Sequence, residues 1–159
     1  MSTSCIVTQA TLDDLDDLAA LFDGYRVFYG RPSDPVAARA FLQERLGLRE
    51  SVVFIARNAN GGALGFTQLY PCFSSVSARR LWILNDLFVA ESARGSGVAR
   101  ALMDRAKRHA LQTGALRLVL QTAHDNGPAQ ALYESLGYVR SGGMYEYSLE
   151  LETIPTQRC

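Results

Sequence analysis

Cysteine is scarce in this chain: Cys5, Cys72 and Cys159 are three in number, scattered, and without metal-ligand spacing. That excludes a disulfide framework and a cysteine-based metal cluster. It fits a reducing cytosol in which each is a small packing residue or a surface thiol. Excess charge of one sign is absent too, since sixteen Lys and Arg balance sixteen Asp and Glu. Nothing in that balance favours bulk binding to nucleic acid. No segment approaches the ~20 apolar residues of a membrane span. Residues 1–8 carry neither a basic region nor a long apolar core, so no signal peptide is expected. There is also no internal repeat and no linker. What is left is 159 residues, 48% hydrophobic and 20% charged, enough for one substantial core. The expectation is a single cytoplasmic domain over residues 1–152 with a frayed tail over 153–159, without nucleic-acid or membrane partners. A homodimer is allowed.

The pattern along the chain alternates between strand and helix character. Residues 6–9 read as a short strand, and Thr11 caps a helix whose first turn holds Asp13 and Asp14. Leu12, Leu15, Leu18, Ala19, Phe22 and Tyr25 keep helical spacing until Gly30-Arg31-Pro32 breaks it. A second helix is expected over 36–46 and a strand over 51–57. Asn58-Ala59-Asn60-Gly61-Gly62 is a hairpin signal, with its return strand over 64–70. Residues 71–80 read as a polar, Ser-rich loop before a strand over 81–89. A helix follows over 97–112, with Val98, Leu102, Ala106 and Ala110 on one face and Arg105, Lys107 and Arg108 largely off it. Leu116, Leu118 and Leu120 mark a strand. A short helix then leads to a hairpin of 138–140 with 144–151, joined at Gly142-Gly143. The order β-α-α-β-β-β-α-β-α-β-β is that of a mixed α/β sheet.

Chemistry concentrates at the turn Glu91-Ser-Ala-Arg94-Gly95-Ser96-Gly97-Val98-Ala99-Arg100, between strand and helix. Glycines there let the backbone coil tightly and approach a ligand. The N–H groups opening the helix, with the positive end of its dipole, form an anion site. Arg94 and Arg100 add cationic forks suited to phosphate oxygens. Two better-known phosphate loops do not fit. No Gly-Lys pair exists for a Walker loop, and Gly95-x-Gly97 continues to Arg100 where a dinucleotide fingerprint has glycine. An ordinary tight turn is the plain alternative. A second segment, 126–138, reads as a short helix: Asn126 is a good N-cap, Pro128 sits in the first turn, and Gly137 follows the last turn.

The two segments together resemble the GCN5-related N-acetyltransferase (GNAT) superfamily, which binds acetyl-coenzyme A. Arg94-x-x-Gly97-x-Ala99 matches its pyrophosphate loop, and Asn126-x-x-Ala129-x-x-Leu132-Tyr133-x-x-x-Gly137-Tyr138 matches its later helix. The run from Phe28-Tyr29-Gly30 through 82–89 is similar to the branch of yeast histone and polyamine acetyltransferases. The resemblance implies a mixed, mostly antiparallel central sheet, flanked by helices, whose fourth and fifth strands splay apart. It implies acetyl-coenzyme A as cosubstrate, no metal, and a pantetheine arm lying along Leu87, Phe88 and Val89. Arg94, Gly95, Ser96, Gly97, Val98, Ala99 and Arg100 are then expected to hold the pyrophosphate, with Asn126 on the pantetheine or a water. Transfer to an amine needs a neutral nucleophile and a protonated leaving thiolate. Tyr133 matches the family's acid toward sulfur, against the plain alternative of packing beside Leu132 and Leu136.

Asp86, in an apolar strand just before the pantetheine edge, is the candidate base; the plain alternative is a bulge acid bonded to nearby backbone. His124 is expected on the surface and His109 in solvent on a basic helix face. Ser74, Ser75 and Ser77 lack the elbow or neighbouring histidine of a nucleophile. Tyr29, Arg31 and Tyr70 are candidates for the acceptor site, among aromatics that include Tyr25, Phe28, Phe73 and Tyr145. The expected activity is acetyl transfer to a primary amine of a small molecule or peptide, by direct attack in a ternary complex. The competing readings are a non-catalytic coenzyme A sensor and a nucleotide-binding domain using the Gly95 turn.

Overall fold

The computed structural model describes residues 5–151; the tail expected from Thr153 and Cys159 lie outside them. The chain forms two compact units, one through Ala123 and one from His124.

The first unit is a five-stranded sheet in the order β1-β2-β3-β4-β5: Ile6–Gln9, Val52–Arg57, Ala63–Ser74, Arg79–Val89 and Leu118–Val119. The first four strands run antiparallel, and β5 joins β4 in parallel. Helices α1 (Leu15–Phe28) and α2 (Pro35–Gly47) share one core cluster with Val53, Ile55 and Phe66. The opposite face of β2 meets α3 (Val98–Gln112), where Phe54 packs edge-on against His109. Strands covered on both faces read as continuous apolar runs, which is why 52–56 lacks alternation.

The helices start where the caps place them. Thr11 and Asp14 bond reciprocally to each other's backbone N–H around a single 3-10 turn before α1. Asp34 accepts from Ala37 N–H at 2.9 Å and Pro35 takes the first position of α2. In the hairpin, the Asn58 side chain accepts from the N–H groups of Asn60 and Gly62, and Gly61 takes φ +84°.

Two expectations differ from the structure. The loop expected over 71–80 shrinks to 75–78, because β3 runs on to Ser74 and β4 begins at Arg79. Beyond Leu69, β3 has no partner on its β2 side among the described residues, so Pro71 loses no ladder bond there, and Arg80 stacks on Phe73 at 4.9 Å. The last hairpin is the second difference: among the described residues 138–140 and 144–151 form no ladder, and Met144, Tyr145, Tyr147 and Leu149 are exposed. Strand propensity alone does not hold a lone two-stranded ribbon in water.

Candidate active site

The local event that builds the site is a β-bulge. Gln68 pairs with Asp86 but Leu69 pairs with Leu84, so Asn85 is an extra residue on β4. Asp86 and Gln68 face each other across the ladder, on the side of the sheet that carries Phe66 and α1. Asp86 is 3% exposed and Gln68 fully buried. Gln68 Nε2 donates to one carboxylate oxygen and Asn85 Nδ2 donates to the other at 2.9 Å. Tyr25, from α1, packs on the same face and also bears on this carboxylate. Burial pushes the Asp86 pKa above its ordinary value, while Gln68, Asn85 and Tyr25 pull against that rise. Burial and the Asp86 charge in turn hold the Tyr25 phenol far above its usual pKa, and they push Tyr70 up to about 12.

Beside this cluster the sheet opens. β5 pairs only with Trp82 and Ile83, so β4 from Leu84 onward has no strand on that side among the described residues. A groove of about 580 Å³ lies where the strands part. Tyr25, Tyr29, Ile83, Leu84 and Asn85 form one wall and residues 119–123 the other. Leu87 and Phe88 are half-buried and Val89 is buried along the exposed length of β4. Such an edge offers backbone amides at regular spacing to an extended ligand.

The strand then runs into the glycine turn. Gly95 and Gly97 take φ +73° and +87°, the left-handed region that glycine occupies without strain, and a Cβ at either would meet nothing within 4 Å. Ser96 Oγ donates to Ala93 O at 2.6 Å, which closes the turn. The Gly97 carbonyl accepts from Ala101 N–H, so the N–H groups of Val98 and Ala99 have no acceptor within α3. Arg94 Nε donates to Val89 O at 3.2 Å, and its guanidinium lies over the rings of Phe28 and Phe88 at 5.6 and 5.9 Å.

In the second unit, α4 spans Gly127–Ser135. The Asn126 side chain accepts from Ala129 N–H at 3.3 Å, and Gln130 Nε2 donates to His124 O at 3.0 Å. The helix ends as the glycine predicts: Gly137 takes φ +88° and Tyr138 N–H reaches back to Tyr133 O at 3.1 Å. The rings of Tyr133 and Tyr138 lie 6.1 Å apart.

Known proteins match this arrangement. Residues 17–138 match the model of the Acetyltransferase (GNAT) family. The chain belongs to the GNAT family. It is an acetyl-transferring enzyme by that membership and by its relatives. The N-acetyltransferase YhfO of Bacillus subtilis is 48% identical over 145 residues, 91% of this chain and 97% of that protein. A crystal structure of a probable acetyltransferase has 46% identity and a TM-score of 0.88, covering 93% of this chain and 99% of that one. The yeast branch is represented by the D-amino-acid N-acetyltransferase HPA3 of Saccharomyces cerevisiae. It is 31% identical over 86 residues, 54% of this chain and 53% of that protein.

Within the GNAT fold, the remaining candidates separate. Tyr29 lines the groove, and Tyr70 is half-buried on the strand next to Asp86. Arg31 is exposed just past α1, Phe73 is exposed and does not line the groove, and Tyr145 is exposed in the second unit. His109 does not sit in solvent as its basic neighbours suggest. It lies half-buried against Trp82 and Phe54, with ring centroids at 4.9 and 5.5 Å. Burial lowers its pKa, helped by the charges of Arg105 and Arg80. Among the described residues, no cluster of His, Cys, Asp and Glu is fit to hold a metal ion, and no helix is long and apolar enough to cross a membrane. Sequence reasoning missed Gln68 and Asn85. Asn85 stands beside the acid on β4 and Gln68 opposite it on β3, a pairing that becomes readable only once the bulge is known.

Proposed function

We propose that this GNAT enzyme, acting as one domain over residues 1–152 in a reducing cytoplasm, transfers the acetyl group of acetyl-coenzyme A to a primary amine. The acceptor is a small molecule, such as an amino acid or polyamine, or a peptide, and the amine attacks directly in a ternary complex. The observation that carries this reading is the groove at the parting of β4 and β5, with a buried carboxylate behind one wall. The free edge at Leu87, Phe88 and Val89 supplies amides for the pantetheine arm. Residues 94–100 supply N–H groups and two guanidinium side chains for the pyrophosphate, and the space beside Gly95 and Gly97 is open to receive it. Asn126 holds the pantetheine or a water at the start of α4. Asp86 takes up the amine proton and Tyr133 protonates the departing thiolate. Tyr29, Arg31 and Tyr70 contact the acceptor. Arg31 suits a carboxylate, which favours an amino-acid acceptor. A coenzyme A release assay over amino acids, polyamines, aminoglycosides and basic peptides tests the reading. Release with none of them overturns it.

The pyrophosphate turn has its own test. Gly97→Asp puts a negative charge at the helix start, where open space rules out a steric clash as the cause of any effect. Acetyl-coenzyme A affinity is expected to fall at least about tenfold, or about 1.4 kcal/mol. Gly97→Ala is the control: it carries the same backbone strain at φ +87° without the charge, and is expected to lose less. Unchanged calorimetric binding in a folded Gly97→Asp protein would end the assignment.

A further inference from the structure

Asp86 has a problem of access. It is 3% exposed and is not among the residues that line the groove, yet an acceptor amine must lose its proton in that groove. Tyr25 meets both requirements, since it lines the groove and packs on Phe66 and Phe88, two residues from Gln68 and Asp86 on the same face of the sheet, where it bears on the Asp86 carboxylate. Resting on the amine-acetylation reading, we propose that Tyr25 is the proton relay between the acceptor amine and Asp86. The N–H bond of the amine breaks as its proton joins the Tyr25 oxygen. The original Tyr25 proton passes to a carboxylate oxygen of Asp86. Tyr25 stays neutral throughout, Asp86 ends as the carboxylic acid, and after product leaves its proton passes back through Tyr25 to solvent water in the groove, which restores the carboxylate.

The geometry holds Tyr25 to this task. α1 approaches β4 closely because Gly24 carries no side chain; a Cβ there would stand 3.1 Å from the Phe88 ring. The Tyr25 ring is boxed by Tyr29 at 4.9 Å, Phe22 at 6.0 Å, Phe66 at 6.1 Å and Phe88 at 6.5 Å. A ring so packed has one orientation for its hydroxyl-bearing end. Tyr25 does not act as the base itself, because burial and the neighbouring carboxylate make its phenolate costly. It passes a proton on without keeping a charge. Asp86 is the better store, since burial favours its neutral form.

Gln68 fits both states of that store. Its Nε2 donates to the ionised carboxylate, while its Oε1 is buried with no hydrogen-bond partner among the described residues. Turning the amide over presents Oε1 as an acceptor for the protonated acid. The groups that bear on Asp86 are Tyr25 of α1, Gln68 and Tyr70 of β3 and Asn85 of β4. Arg45 of α2 acts on Tyr70, and Tyr29 acts on Tyr25.

Tyr25→Phe keeps the ring and its four aromatic neighbours and removes the hydroxyl. With an alkylamine acceptor, kcat/KM is expected to fall about a hundredfold, at unchanged acetyl-coenzyme A affinity. With an arylamine or hydrazine acceptor, already neutral at assay pH, the loss is expected to shrink to near unity. A purely structural tyrosine would lower both alike. Carboxyl carbon NMR of Asp86 reads the contact without turnover: losing a donor to the ionised form is expected to raise its titration midpoint. Equal losses with both acceptor types, a wild-type rate, or an unmoved midpoint each overturn the relay. A wild-type enzyme active on alkylamines but indifferent to Tyr25→Phe sinks the relay alone. A wild-type enzyme silent with every amine sinks the amine reading, and the relay with it.

Discussion

Asp86→Asn is expected to lower kcat by about 10²-fold or more while acetyl-coenzyme A affinity stays near that of the wild type. The substitution keeps the shape of the side chain and an oxygen for Gln68 Nε2, and removes the capacity to hold a proton. A base in the proposed role works in its ionised form, so the wild-type rate should rise with pH as the raised pKa of Asp86 is crossed. That limb should vanish in the variant. Stability should move the other way. The folded carboxyl keeps its proton to a higher pH than the same group in the unfolded chain, so the fold loses stability as pH climbs from the unfolded pKa through the folded one. Above the folded pKa the wild type therefore carries a buried charge that Asn lacks. The melting temperature of Asp86→Asn is expected to equal or exceed that of the wild type there, with the gap closing as pH falls. An acid kept for structure predicts the reverse: lower stability and a wild-type rate between about pH 6 and 9.

The same carboxylate shows how far a sequence can be read. Asp86 stands out because an acid in an apolar strand is expensive to bury and asks for a reason. Its partners do not stand out. Gln68 lies eighteen residues away on another strand, and Tyr25 lies on a helix that reaches the sheet only through packing. The bulge that brings them together is a one-residue slip between β3 and β4, and nothing local signals it.

Elements with short-range chemistry were legible. The Thr11 capping box, the Asn58 turn, the apolar face of α3 and the Gly137 stop all lie where their residue types require. Those decided by distant partners were not. Pro71 reads as a strand breaker until β2 is seen to end beside it, and 144–151 reads as a strand although no partner ladder is there to pair with it. His109 follows the same rule: its neighbours in sequence are basic, but its neighbours in space are Phe54 and Trp82.

Tyr133→Phe is expected to reduce kcat on the order of 10²-fold, the usual scale for losing a general acid and equal to about 2.7 kcal/mol of barrier. The variant keeps the half-buried ring near Tyr138 and the apolar stripe of α4, so the helix and its glycine stop have no reason to change. Only the hydroxyl is lost. An alkyl thiolate leaves poorly without a proton, and a phenol supplies one while staying neutral in the resting enzyme. Acetyl-coenzyme A affinity should move little, since a bond made mainly in the transition state lowers kcat without weakening ground-state binding. Leaving-group chemistry sharpens the test. An acetyl donor with a more acidic thiol, such as an aryl thioester, needs less help on departure, so the variant should recover most of its rate with that donor. Tyr25→Phe should gain nothing from the same donor, because its defect lies on the amine side of the reaction. If Tyr133 serves only to pack α4, its phenylalanine variant will turn over normally with both donors and shift only the melting temperature.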